Sequence, residues 1–170
     1  MVFLFPTEFE AAPFRKLHPS ANVIICGVGM AATAATLSLI ITTTRPKAVI
    51  LCGIAGAYDI NQNPIDQVVE VISEQIEELP EMFQKIYEIE PRWGLPTASS
   101  NTVNRSNFQG AKSDIENMEG AAAAAICLEH NIQFSQIRAI SNLVGDPTHK
   151  WSFKSAIKAL TEALSTIYTR

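Results

Sequence analysis

Apolar residues in this chain gather into short unbroken runs instead of alternating with polar ones. Val2–Phe5, Asn22–Cys26 (NVIIC), Lys47–Cys52 (KAVILC) and Val68–Ile72 are each of strand length. A strand that is apolar at every position is buried on both faces, as in a sheet covered by helices on either side. Between the second and third runs, Met30 to about Thr43 is rich in Ala, Leu and Ile and long enough for a helix, which Pro46 stops. Ala98–Val103 is a weaker strand and Phe134–Ser141 (FSQIRAIS) a stronger one. Ser113 or Asp114 is placed to cap a helix from Ile115 to His130, and its Gly120–Ala125 centre is so small that it must pack close to a neighbour. Near the C-terminus, Phe153, Ile157, Leu160, Leu164 and Ile167 recur at helical spacing and predict one core-facing stripe. Strands alternating with helices predict an α/β fold.

One stretch breaks the pattern. Glu74–Pro96 is dense in acids, holds Pro80 and Pro91, and ends on Pro96. It reads as an exposed, partly helical excursion, not a second domain. With 170 residues the chain fits a single domain spanning 1–170 and is long enough to bury a core without metal or disulfide.

Composition narrows the function classes. Hydrophobic residues make up 47% and charged residues 18%, which excludes a disordered chain. The net charge is −4, with no basic stripe, so neither nucleic acid nor an anionic membrane is expected as a partner. Cys26, Cys52 and Cys127 are odd in number, lack CxxC spacing and read as buried thiols of a reducing compartment. The longest uncharged stretch, Pro19–Thr44, is broken by Gly27 and Gly29 and is not a membrane span; a signal peptide is disfavoured because no basic residues precede the apolar N-terminus. A cytoplasmic location is the expectation.

Candidate chemistry collects where apolar runs end. Gly27-Val28-Gly29 follows a strand and opens a helix, but no acid occurs between Glu10 and Asp59, so the ribose-binding half of a dinucleotide fingerprint is missing. Gly53-Ile54-Ala55-Gly56 ends the next run in the same manner. Each is either an ordinary tight turn or part of a pocket floor at the carboxyl edge of the sheet. Glu10, just after the first strand, is either a solvated acid or a general base. Glu119, entering a tightly packed helix, either points to solvent or meets hydroxyls in a pocket. Asn142, at the end of FSQIRAIS, is either a turn residue or a donor–acceptor for a planar heterocycle. His18, His130 and His149 have no ligand spacing, so no metal is expected, and no cofactor motif is present.

Five segments, taken together, resemble the nucleoside phosphorylase/nucleosidase superfamily: PTEFEAAPF (Pro6–Phe14), CGVGMAATA (Cys26–Ala34), ILCGIAGAY (Ile50–Tyr58), NMEGAAAA (Asn117–Ala124) and RAISNLVGDP (Arg138–Pro147). Within it the chain is most similar to the futalosine hydrolases of an alternative menaquinone pathway, through Thr102-Val103-Asn104 and the Asn142…Gly145-Asp146…Trp151 tail. The resemblance implies a mixed, mostly parallel central sheet with helices on both faces. It implies a purine nucleoside as substrate and a homodimer or higher homo-oligomer. Glu10 would activate water. Glu119 would hold the ribose hydroxyls, with Met118 against the sugar and Gly53, Ile54 and Ala55 in the substrate-binding floor. At Asn142 the methylthioadenosine/S-adenosylhomocysteine nucleosidases carry Asp. An Asn amide donates to the O6 and N7 acceptors of a 6-oxopurine, whereas an ionised Asp repels them, so Asn142 favours hypoxanthine as the leaving base.

The chain also departs from the pattern. Ile54 stands where the nucleosidases have Ser, and the chain is shorter than the resemblance implies, with the missing length between Ile72 and Ile115. Phe83, Trp93 and Phe108 are the candidate base-stacking aromatics. A phosphorylase of the same fold would need a phosphate clamp of several cations, yet the first 60 residues hold only Arg15 and Arg45 as arginines, so hydrolysis is favoured. The remaining alternatives are an adenine nucleosidase and a non-catalytic nucleoside-binding relative.

Overall fold

The structure is a computed structural model and describes residues 1–170. In chain order the elements are β1 (Val2–Phe5), α1 (Glu8–Leu17), β2 (Val23–Ile25), α2 (Met30–Thr44), β3 (Ala48–Ala57), β4 (Val68–Gln75), β5 (Tyr87–Glu88), β6 (Thr97–Thr102), β7 (Ile115–Asn117), α3 (Gly120–Glu129), β8 (Gln133–Leu143) and α4 (Phe153–Tyr168). This is one α/β domain with four helices. Leu37, Ile40 and Ile41 of α2 and Ala123, Ala124 and Cys127 of α3 close one core, against Val49, Leu51 and Val69. Ala11 and Phe14 of α1 and Leu160, Leu164 and Ile167 of α4 close a second, against Ile50, Cys52 and Ile137. Alternate residues of β3 thus face opposite helix layers, which is why its sequence is apolar throughout. No helix is long and apolar enough to cross a membrane.

The sheet is mixed, with five parallel and three antiparallel pairings. It also closes on itself. β3 pairs β7, β7 pairs β6, β6 pairs β4, β4 pairs β8 and β8 returns to β3, while β2–β1 and β5 hang on the ring as flaps. Closure, not an open sheet, is the feature the apolar runs did not announce.

Several local expectations are corrected. Gly53-Ile54-Ala55-Gly56 is not a turn: β3 runs straight through it to Ala57, with a bulge between Ala55 and Gly56 against β8. The glycines serve close approach instead. A Cβ on Gly53 would lie 2.6 Å from Arg138 Nη1, and one on Gly56 3.0 Å from Asn142 Nδ2. Ile115–Asn117 is a strand, so α3 begins only at Gly120, where a Cβ would collide with the Glu74 carboxylate. Glu74 is not exposed either: it is wholly buried in β4, and only the segment beyond it is an excursion, with one 3-10 turn at Glu81–Phe83 and the two-residue β5. Helix α1 was not expected. It starts with a T-x-x-E cap, in which the Glu10 N–H donates to Thr7 Oγ1 at 3.3 Å.

Candidate active site

A cavity of about 310 Å³ opens over the ring where β3, β7 and β8 end. Glu10, Ile54, Ala55, Met118, Glu119 and Asn142 all line it. Gly53 does not reach the lumen; it lies directly beneath, between Glu10 and Arg138. The sequence-predicted residues therefore converge on one site from four segments far apart in the chain: α1, β3, the turn before α3, and β8.

Glu10 comes from the first turn of α1 and is 6% exposed. Its Oε2 accepts from the Thr7 hydroxyl at 2.5 Å and its Oε1 from the Ile54 N–H at 3.0 Å. Burial pushes its carboxyl pKa above the ordinary 4.5, helped by the Glu119 charge and opposed by the Thr7 and Ile54 hydrogen bonds and by Arg138. A carboxylate so raised is closer to the basicity needed to take a proton from water.

Glu119 sits in the turn before α3. Its Oε1 accepts from the Gly29 N–H at 3.0 Å, at the start of α2. Gly29 has a φ of 89°, a left-handed conformation that orients this N–H and suits glycine. The GVG turn thus binds a carboxylate of the protein itself. Glu119 Oε2 accepts from Arg138 Nη2 at 3.2 Å. Arg138 is 1% exposed, and its other contacts are Asn117 Oδ1 at 2.8 Å and the Ile54 carbonyl at 3.3 Å. Sequence reasoning gave Arg138 no role. The signal was present: a lone cation inside the apolar β8 run must find a buried anion.

Asn142 closes the other end. Its Oδ1 accepts from the Ser141 hydroxyl at 2.8 Å and its Nδ2 donates to the Leu143 carbonyl at 3.0 Å. One Nδ2 hydrogen is left over for a ligand. Beside it Glu116 lines the wall, accepting from Tyr58 Oη at 2.9 Å and from the N–H groups of Asn107 and Phe108 at 2.7 and 3.2 Å. That carboxylate pins the loop 104–113 over the cavity.

The expected stacking aromatics are displaced. Phe83 is 64% exposed on the excursion, Trp93 packs on the α4 core and Phe108 lines a neighbouring polar cleft. The aromatics that line the cavity are Phe9, Trp151 and Phe153. Trp151 and Phe153 lie 5.4 Å apart and Phe9 and Phe153 6.3 Å, ring centre to ring centre. The spacing predicts Phe153 in the core, yet its side chain lines the lumen instead.

The fold and the sequence point the same way. Residues 93–169, which hold Met118-Glu119-Gly120 and the Arg138–Pro147 block, match the phosphorylase superfamily. No curated protein matches the chain. Among solved structures, the 5′-methylthioadenosine nucleosidase of Arabidopsis thaliana superposes with a TM-score of 0.88 at 18% identity, over 99% of this chain and 93% of that one. Futalosine hydrolase of Helicobacter pylori superposes at 0.86 and 12% identity, over 99% and 96%. The 5′-methylthioadenosine/S-adenosylhomocysteine nucleosidase of the same species, with butyl-thio-DADMe-Immucillin-A, gives 0.86 and 12%, over 99% and 97%. At such identities the likeness is one of fold, and the three share that fold with this chain.

Proposed function

We propose that this protein hydrolyses the N-glycosidic bond of a purine nucleoside, with hypoxanthine as the leaving base and futalosine as the preferred substrate. The observation that carries the reading is the placement of Glu10, Glu119 and Asn142 around one cavity, with a single buried cation between the two acids. The neighbours support it: they include a futalosine hydrolase and methylthioadenosine-type nucleosidases.

In this reading the nucleoside lies with its base toward Asn142 and its sugar over Met118. Asn142 donates its spare hydrogen to the purine and stabilises the negative charge that builds as the base departs. The sugar becomes oxocarbenium-like, and the Glu10 and Glu119 anions favour that charge. Glu119 accepts from the ribose hydroxyls; Arg138 and the Gly29 N–H keep its carboxylate aimed. Glu10 takes the proton from an attacking water, and the new C–O bond replaces the C–N bond. Phe9, Trp151 and Phe153 supply apolar and aromatic wall.

Phosphorolysis is disfavoured by the same geometry. The cavity holds one cation, Arg138, already engaged by Glu119, and a phosphate dianion would meet the charges of Glu10, Glu116 and Glu119. We further propose a homodimer that buries on the order of 1,500 Å². Phe9, at the cavity, is 60% exposed, so a second copy would complete its cover. A monomer in solution scattering at micromolar protein contradicts the dimer.

The deciding experiment incubates the protein with futalosine, inosine and methylthioadenosine and follows free base with and without phosphate. Hypoxanthine release independent of phosphate is expected. Binding without turnover favours a nucleoside-binding relative, and faster adenine release overturns the 6-oxopurine preference.

A further inference from the structure

Two buried acids lie outside the cavity: Glu70, which accepts from the N–H groups of Arg92 and Trp93, and Glu74. Glu74 is 0% exposed in β4 and makes no direct ion pair. Its Oε1 accepts from the Thr102 hydroxyl at 2.9 Å, and its Oε2 from Asn117 Nδ2 at 2.8 Å and Gln136 Nε2 at 3.0 Å. A carboxylate is costly to bury, so three donors around it need a reason.

The reason lies at the start of α3. Glu119 holds the N-cap position of that helix but makes no side-chain cap. An uncapped start leaves N–H groups without partners, and Glu119 is well placed to turn back and take them. It does not, and neighbours take the first three N–H groups there instead. Asn117 Oδ1 accepts from the N–H groups of Glu119 at 2.8 Å and Gly120 at 2.6 Å, and Thr102 Oγ1 accepts from the Ala121 N–H at 2.8 Å. Both side chains are tied to the Glu74 carboxylate, Asn117 through Nδ2 and Thr102 through the same Oγ1 that accepts from Ala121. Ser100 also touches Asn117 Nδ2, at 2.8 Å, and Arg138 Nη2 donates to Asn117 Oδ1 at 2.8 Å, so the Glu74 carboxylate holds the amide together with both.

We propose that Glu74 is a positioning residue that caps α3 by proxy, through Asn117 and Thr102, and so keeps the Glu119 carboxylate out of the cap and in the cavity. The inference rests on the nucleosidase reading for its kinetic consequence, though not for its geometry. Glycine at 120 completes the device, since any side chain there would occupy the place of the Glu74 carboxylate.

The test is kinetic and structural. Glu74→Ala is expected to raise KM roughly tenfold, with kcat changed less, because the sugar hydroxyls lose an aimed acceptor. Glu74→Gln keeps an acceptor for Asn117 and a partner for Thr102, and is expected to restore both constants to within about threefold of the parent. The KM effects of Glu74→Ala and Asn117→Ala should be less than additive. Equal losses in Glu74→Gln and Glu74→Ala, or strict additivity with Asn117→Ala, overturn the proposal. If Glu74→Ala does not fold, Asn117→Ala reads the same tie, and an unchanged KM there overturns it. If the parent protein cleaves no nucleoside, the nucleosidase reading fails separately. A crystal structure of Glu74→Ala then decides: the Arg138–Glu119 contact of 3.2 Å should open, and its persistence with Glu119 in place overturns the positioning role.

Discussion

Replacing Glu10 with Gln tests the mechanism at its most exposed point. The side chain keeps its length, and its hydrogen bonds say how it would sit. The amide oxygen stays on the Ile54 N–H, because an NH₂ there would face another donor. The new NH₂ turns to Thr7 Oγ1, which exchanges its donor role for an acceptor's. Geometry is kept and basicity lost. Turnover should fall by about 100-fold or more, which is ~2.7 kcal/mol of barrier at ~1.36 kcal/mol per tenfold. Nucleoside binding should be nearly unchanged. The pH dependence has a definite sign. Glu10 works ionised, so kcat falls as pH drops through its burial-raised pKa, an acid limb above the ordinary carboxylate value; the Gln variant has no such limb. Stability moves the other way. With the folded pKa above the unfolded one, the stabilising contribution of the protonated acid is complete below the unfolded value and is lost as pH rises through the folded value. At neutral pH the ionised group therefore strains the fold, and Glu10→Gln should melt no lower than the parent. Stopped assays of base release across pH, with calorimetric binding and thermal melts, check all three. Turnover within about threefold of the parent at neutral pH would refute Glu10 as the base.

Asn142→Asp should lower the ratio of kcat/KM for hypoxanthine over adenine nucleosides, since the carboxylate repels O6 and accepts from a 6-amino group; an unchanged ratio in competition assays removes Asn142 as the base-reading residue. Gly53→Ala forces a methyl to 2.6 Å from Arg138 Nη1 and 3.0 Å from Glu10 Oε1, so both stability, by about 1–3 kcal/mol, and kcat/KM should drop, as read by denaturant melts and steady-state kinetics.

Much of the site was legible because its residues follow or end apolar runs. Glu10, Glu119 and Asn142 interrupt segments whose buried character is plain, and a polar group at such a boundary asks for a partner. The ring was not legible: closure depends on β4 reaching β8 and β7 reaching β3, pairings between segments far apart in the chain that carry no local mark. Glu74 was hidden because alternation from Val69 and Val71 puts Ser73 on the face toward α3, and only the register irregularity between Val71 and Ser73 brings Glu74 there instead. The T-x-x-E of Thr7 and Glu10 was in plain sight as a helix start, and reading it would have found α1. Phe153 fits the core stripe of α4 by spacing, but it stands at the first position of the helix and lines the lumen beside Trp151.

The closed ring has an evolutionary consequence. Ile54, Asn117 and Arg138, which set the floor, lie on strands hydrogen-bonded within the circuit, so drift there is penalised by the stability of the whole barrel. The rim is another matter: the loop 104–113, the stretch from Val144 to Ser152 and the exposed side chain of Phe9 lie outside the circuit, where exchange costs little. Descendants of such a scaffold would diversify by rewriting the rim over an inherited floor. Phenylalanine at 9 and tryptophan at 151 would turn over sooner than the glutamates beneath them, and a lineage could change its nucleoside while keeping its bond-breaking chemistry.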